Sequence, residues 1–338
     1  MRAEVQLVVA TFGIYFVYLY YGVLQERIYK PDPTDGSRFT FTLFLLSVQC
    51  LFNFVLGAFM LFLVGGGRMT DKKPLSATAE SSPFMIKHSG TIWLGLFSAS
   101  YLAGMGCSNM ALEYVSYPFQ ALAKSCKMVP VMMANVVLGG ESYSWQKYLM
   151  VFMITGGVIL FRMAKSKQGF GFEGNSAFGL ALLFGSLCLD GITGSSQRLF
   201  SREYKPSSHF LMAGMNLFSL LYVVPVVFVT GEFTEAIAYL QGHQGVVYDL
   251  LAFSACSAVG QQFIFYSVVN LGPLATTTIT TTRKFFTVLL SVLLYPENRL
   301  NDGQWFAVAL VFAGLVMEIW EKYAHKPSAP APTIKKEQ

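Results

Sequence analysis

The chain is 338 residues long and 54% hydrophobic, with only 13% charged residues, a mean hydropathy of +0.49 and a formal net charge of +5 at pH 7. Soluble domains carry about 25% charged residues, so this deficit excludes an ordinary soluble protein and points to a polytopic membrane protein. The positive charge is no nucleic-acid signal, because it sits in short loops and the tail and forms no Lys/Arg-rich run.

In chain order the apolar runs predict ten spans, at 5–29, 39–64, 89–112, 118–138, 146–163, 176–200, 207–230, 246–270, 274–295 and 304–323. The run from Leu7 continues to Tyr29, too long for a cleavable leader, and reads as the first span. The one long connector, 65–88, is rich in Gly, Ser, Lys and Pro. From Lys326 the tail is rich in Pro and Ala and is expected to be disordered. With both termini on the cytosolic side, thirteen Lys and Arg face the cytosol against seven on the other side, which favours that orientation. The basic loop after the fifth span, with Arg162, Lys165 and Lys167, runs against the trend.

The halves resemble each other. A shift of 172 superposes Gly13, Gly22 and Gln25 on Gly185, Gly194 and Gln197; a shift of 157 superposes Lys127, Val131 and Gly157 on Lys284, Val288 and Gly314. Five spans per half is an odd number, so the second half must be inverted. The predicted fold is an all-α polytopic membrane protein of ten transmembrane helices in two inverted five-helix repeats, residues 1–165 and 166–325, followed by a cytosolic tail, 326–338. Such carriers place their site at the midplane between the repeats.

Two spans carry cations at depth: Lys124 and Lys127 after Pro118, and Arg283 and Lys284 after Pro273. Each costs roughly 2.5–3.5 kcal/mol at the centre of a membrane helix. Four facing lipid would cost about 10–14 kcal/mol, comparable with the whole stability of a fold, about 5–15 kcal/mol. They are therefore expected to face a wet cavity. On an α-helix Lys124 and Lys127, at i and i+3, share a face, with Gln120 one turn before. Pro130 should kink that span just past Lys127 and free the carbonyl of Cys126. Within the spans the acids are Glu26, Asp190, Asp249 and Glu318, and only Asp190 is deep. That leaves an excess of about three positive charges, which suits a polyanion; Arg offers a planar fork and Lys a mobile point charge for a diphosphate.

Thr276, Thr280 and Thr287 lie on the face of Arg283, and Thr277 and Thr281 on that of Lys284. Their hydroxyls have two roles open, binding phosphate or ribose oxygens or bonding back to the preceding turn. Gln25, Glu26, Asn109, Gln261 and Gln262 can read a base or sugar, or hold helices together. Tyr18, Tyr20, Tyr21 and Tyr101 are candidate stacking partners for a base. Five scattered cysteines, with no C-x-x-C, predict neither disulfide framework nor metal site. With no catalytic motif and no paired carboxylates, neither enzyme nor cofactor is indicated. A membrane transferase would cluster acids for a metal, and a non-transporting membrane receptor or chaperone would tolerate Leu at the deep cations. Lys335 and Lys336, third and fourth from the end of a cytosolic tail, read as a dilysine retrieval signal for the endoplasmic reticulum, recognised by coat proteins.

The chain resembles the nucleotide-sugar transporters of the drug/metabolite transporter superfamily, in the branch of UDP-galactose transporter homologs. The likeness runs from about Phe12 to Trp320 and stands on Tyr21-Gly-Val-Leu-Gln25-Glu26, Tyr117-Pro118 to Lys124-Ser-Cys-Lys127-Met-Val-Pro130, Leu189-Asp190-Gly191, Gly260-Gln261 and Thr280-Thr-Thr-Arg283-Lys284-Phe285. The resemblance implies ten spans, residence in the endoplasmic reticulum membrane, and exchange of UDP-galactose or UDP-glucose for a nucleoside monophosphate by alternating access. Animal members also look like ATP/ADP exchangers, so the substrate class stays open between the two. A homodimer is compatible with either. On this reading Lys124, Lys127, Arg283 and Lys284 bind phosphate, with Gln120, Thr280, Gln25, Glu26, Asn109 and Gln261 around them.

Overall fold

The computed structural model describes residues 3–30, 36–65, 88–127, 129–130, 132, 144–165, 174–204, 206–295 and 298–324. Among the described residues the chain is helical, without strands. It forms α1 (Ala3–Ile28), α2 (Thr42–Gly65), α3 (His88–Met110), a 3-10 turn (Ala111–Glu113), α4 (Tyr117–Ala123), a second 3-10 turn (Lys124–Lys127), α5 (Trp145–Lys165), α6 (Gly174–Tyr204), α7 (Ser208–Val229), α8 (Glu232–Gly242), α9 (Gln244–Leu294) and α10 (Asp302–Ala324). Six of these, α1, α2, α5, α6, α7 and α10, are long and apolar enough to cross a membrane.

The distribution of polarity suits a lipid solvent. Phe12, Phe62, Phe152, Val229 and Trp320 are exposed, while Gln49, Asn53, Asn216 and Ser257 are buried. Lipid tails offer no hydrophobic drive for helix association, so close packing and interhelical hydrogen bonds must supply it. Asn53 Nδ2 donates to Asn216 Oδ1 at 3.2 Å, tying α2 to α7, and Gln49 Nε2 donates to Ser257 Oγ at 2.8 Å, tying α2 to α9. Where α5 crosses α10, Gly157 lies against Val311 and the Ala307 carbonyl, and Gly314 against Ile154 and the Met150 carbonyl. A Cβ at either glycine would come within 3.2 Å of neighbouring backbone. Pairs in contact include α1 with α9, α2 with α7, α3 with α6, α5 with α10, α4 with α9, α2 with α9, α3 with α7, α9 with α10, α2 with α3 and α4 with α5, and α8 packs on α2, α7 and α9.

Three local structures depart from the sequence reading. The spans at 246–270 and 274–295 are one helical run of 51 residues, which would be about 77 Å long if straight. It is not straight. Tyr21 stacks on Phe253 at 4.3 Å, and Gly13 meets Phe263, so the first arm runs antiparallel to α1. Tyr15 donates to Thr282 Oγ1 at 2.6 Å and Ser291 to Glu26 Oε2 at 2.6 Å, so the second arm runs parallel to α1. The two arms are therefore antiparallel, and Ser267 Oγ and Thr276 Oγ1 share a hydrogen bond of 2.8 Å across the reversal. In a straight helix nine residues span about 13.5 Å. Pro273, expected to open a span, lies inside this run; it lacks the N–H that would continue the ladder.

The span predicted at 118–138 is α-helical to Ala123, tightens to a 3-10 turn at Lys124–Lys127, and is α-helical again at the described residues 129, 130 and 132. The expected break just past Lys127 thus begins three residues earlier. The missing donor at Pro130 and the clash of its ring with the Cys126 carbonyl propagate back through the turn. The unexpected α8 is a short helix after Gly231, whose φ of +77° makes a left-handed corner. It buries Ala236 and Leu240, and Glu232 Oε1 accepts from the backbone N–H of Phe44 at 3.0 Å.

Candidate functional site

Lys124 stands where α4 ends. Its N–H is shared between the carbonyls of Gln120 and Leu122, as is common where a helix tightens. Its own carbonyl accepts from Lys284 Nζ at 3.4 Å. Its ammonium lies 3.9 Å from Asp190 Oδ2 on α6, and the two side chains are 34% and 31% exposed. Lys284 lies on the second arm of α9, so the structure brings together Lys124, Lys284 and Asp190 from α4, α9 and α6.

Arg283 precedes Lys284 and, about 100° round the helix, turns the other way, toward α1. Its guanidinium carbon is 4.9 Å from the centroid of the Tyr18 ring, a cation–π contact. Its Nη1 donates to Thr287 Oγ1 at a long 3.5 Å, and its Nε is buried without a hydrogen-bond partner among the described residues. An unsatisfied buried donor costs about 1–3 kcal/mol, so this guanidinium has capacity for an acceptor that the described residues do not supply. The Lys127 backbone completes the 3-10 turn; its side chain lies outside the described residues, as do Lys335, Lys336 and the rest of the tail.

The threonines bond backwards. Thr280 Oγ1 donates to the Thr276 carbonyl at 2.9 Å, Thr282 to that of Thr278 at 2.9 Å and Thr287 to that of Arg283 at 3.1 Å. The remaining candidates join helices. Gln25 Nε2 donates to Asn109 Oδ1 at 2.9 Å, both residues being buried. Glu26 accepts from Ser291 at 2.6 Å and from Asn298 Nδ2. Gln120 Nε2 donates to Ser108 Oγ at 3.1 Å, and Gln261 Nε2 to the Tyr101 hydroxyl at 3.3 Å. Gln262 donates to Met212 Sδ at 3.1 Å.

Tyr18, Tyr21 and Tyr101 are partly exposed among α1, α3 and α9, whereas Tyr20 is 43% exposed on the outer surface and is not part of this group. Tyr117, which the sequence reading quoted only within the family motif, is brought to the same helices. Its hydroxyl occupies the space where a side chain at position 22 would sit, 2.5 Å from an ideal Cβ on Gly22, and that same position touches Thr287. Gly22 therefore admits Tyr117 between α1 and α9. Asp249, on the first arm of α9, pairs with Arg27 at 3.1 Å, near the end of α1.

Residues 6–322 match the family model for the UAA transporter family. The chain is 40% identical over 320 residues to solute carrier family 35 member B1 of Gallus gallus, covering 93% of this chain and 92% of that one. It is 39% identical over 311 residues to the Bos taurus protein of the same name, covering 90% of each. The Dictyostelium discoideum protein of that name is 37% identical over 330 residues, covering 96% of this chain and 79% of the other.

Proposed function

The chain belongs to the UAA transporter family, and on that premise we propose that it is an antiporter of the endoplasmic reticulum membrane. It carries UDP-galactose or UDP-glucose into the lumen in exchange for a nucleoside monophosphate. Two inverted five-helix halves, residues 1–165 and 166–325, alternate access around a central site. The observation that carries this reading is the hydrogen bond from Lys284 Nζ to the Lys124 carbonyl, which joins the cation-bearing segments of both halves.

The packing pattern supports the two halves. Exchange α1 with α6, α2 with α7, α3 with the first arm of α9, α4 with its second arm, and α5 with α10. The pairs α2–α7, α5–α10 and α4–α9 then map onto themselves, α3–α7 maps onto α2–α9, and α4–α5 onto α9–α10. At residue level, Gly157 against Val311 and Gly314 against Ile154 are one contact repeated at a shift of 157.

In this mechanism the substrate's phosphates meet Lys124, Lys127, Arg283 and Lys284. Arg283, in contact with the Tyr18 ring, presents its fork; the lysines add mobile charge. The partly exposed tyrosines offer faces to the base. Exchange follows from charge. A nucleotide anion sets its negative charge against the cations that closing the cavity buries, and closing it empty leaves that offset out; burying charge without an opposite charge costs several kcal/mol per ion. Return to the endoplasmic reticulum rests on Lys335 and Lys336.

The test is uptake into liposomes. Labelled UDP-galactose should accumulate when UMP is trapped inside and fail to accumulate in empty liposomes; equal uptake in both refutes exchange. Competition by ATP in place of uridine nucleotides would reassign the same phosphate site to ATP/ADP exchange.

A further inference from the structure

We propose that Asp190 is a built-in stand-in for the substrate's phosphate: it holds Lys124 across the interface between the halves when the site is empty, and gives Lys124 up when nucleotide binds. This rests on the phosphate-binding reading of Lys124. Asp190 is carried by α6 and Lys124 by the end of α4, so the pair links the two proposed halves. The contact is built to be exchanged rather than kept. At 3.9 Å it is at the outer limit of an ion pair, and both side chains are about one-third exposed, so water and ligand reach them. Pairs of that kind contribute little and break readily. The carboxylate is also positioned. Gly104 on α3 has no Cβ, and one added there would stand 3.0 Å from Asp190 Oδ1. The companion contact differs in kind: Tyr18, related to Asp190 by the 172 shift, offers Arg283 an aromatic face instead of a competing charge.

The consequence is competition. A phosphate must displace Asp190 to reach Lys124, and Asp190 must return for the nucleotide to leave. Asp190 is thus a positioning residue that lowers affinity and speeds release. The experiment compares the full-length parent with Asp190→Asn, Asp190→Glu, Lys124→Gln and the Asn/Gln double variant in liposome exchange, with UDP-galactose and ATP as probes. The ligand-free melting temperature is measured for each.

Asp190→Asn should lower both KM and the maximum exchange rate two- to fivefold. Fivefold corresponds to about 1 kcal/mol, the upper end for a solvent-accessible pair. Asp190→Glu should restore parental values, and Lys124→Gln should cancel the gain in affinity, as in a double-mutant cycle. An Asp190→Asn variant that folds with unchanged or raised KM, while Lys124→Gln raises KM, overturns the stand-in and leaves the phosphate site standing. A Lys124→Gln variant with unchanged KM overturns the phosphate site and the stand-in with it.

Discussion

Arg283→Met separates a binding cation from a structural one, because a structural role predicts a large loss of stability without ligand and a binding role almost none. In the structure the guanidinium carbon lies 4.9 Å from the centroid of the Tyr18 ring, Nη1 reaches Thr287 only at 3.5 Å, and Nε is buried without a partner among the described residues. Methionine keeps much of the packing on Tyr18 and removes the unsatisfied donor, a relief of about 1–3 kcal/mol. Against that stands the lost cation–π contact, about 0.5–2 kcal/mol. The net change is small, of order 1 kcal/mol either way, or roughly 2–4 °C in melting temperature. Binding has no such compensation. A hydrogen bond to a charged group contributes about 1.5–3 kcal/mol, so losing one phosphate contact weakens nucleotide affinity roughly 10- to 150-fold. Thermal shift of purified protein, with and without a nucleotide panel, reads both quantities at once, since a ligand stabilises the state it binds. The expected result is an almost unchanged melting temperature without ligand and a lost nucleotide shift. A fall of more than about 10 °C without ligand, with the nucleotide shift intact, would refute the reasoning and make Arg283 a structural residue.

Gly157→Ala should destabilise the fold by about 1–3 kcal/mol through overpacking, because its Cβ would meet the Val311 side chain and α10 backbone. Gly156→Ala, with nothing within 4 Å of its Cβ, should be neutral or mildly stabilising in the same melting assay. Glu26→Ala should lower the ligand-free melting temperature by several degrees, since Ser291 and Asn298 lose their acceptor. Glu113, in the turn beyond α3, has a raised pKa because burial disfavours its charge and Glu232 repels it, with Arg38 opposing. A carboxyl that holds its proton more tightly folded than unfolded favours the folded state as pH falls, and loses that contribution as pH rises through its folded pKa. Glu113→Gln should therefore raise the melting temperature at pH 7–8 and flatten its rise toward pH 5.

The helix limits were legible where apolar runs end in polar loops. The run read as 207–230 is α7, Ser208–Val229, and the run at 304–323 is α10, Asp302–Ala324. What stayed hidden was structure that hydropathy does not encode. The reversal in α9 lies between Ser267 and Thr276, where the reading set the boundary between the spans 246–270 and 274–295, but the Ser267–Thr276 pairing cannot be read from periodicity. The tightening at Lys124 was foreshadowed by Pro130, but how far the disturbance travels depends on which carbonyls find other donors; Lys284 takes one of them. Deep cations were identifiable from the cost of burying them in lipid. Their neighbours were not, because Asp190 is 66 residues from Lys124 and Tyr18 is 265 from Arg283. The glutamine and asparagine candidates were visible as polar residues in spans, and the structure shows them bonded helix to helix, which their identity alone does not decide.

On the two-half reading, the places where the repeat is kept and where it is lost divide the labour. Gly157 and Gly314 keep it, since a crossing that both halves share needs small residues on both sides, and the resulting contact is insensitive to what is carried. Lys127 and Lys284 keep it too, giving each half a cation in its broken or folded-back segment. Tyr18 and Asp190 lose it. A chamber symmetrical in its chemistry would hold a symmetrical ligand, and a nucleotide is not one: charge lies on its phosphates and a flat, uncharged base lies apart from them. An aromatic ring on one side and a displaceable carboxylate on the other match that polarity. Substrate orientation should accordingly depend on these two residues more than on the repeated ones. Replacing Tyr18 by Leu should cost selectivity between bases, read from the ratio of KM values for uridine and adenine nucleotides, whereas Asp190→Asn should change all nucleotides by a similar factor. If Tyr18→Leu shifted every nucleotide equally, the ring would be a packing partner of Arg283 and not a surface for the base.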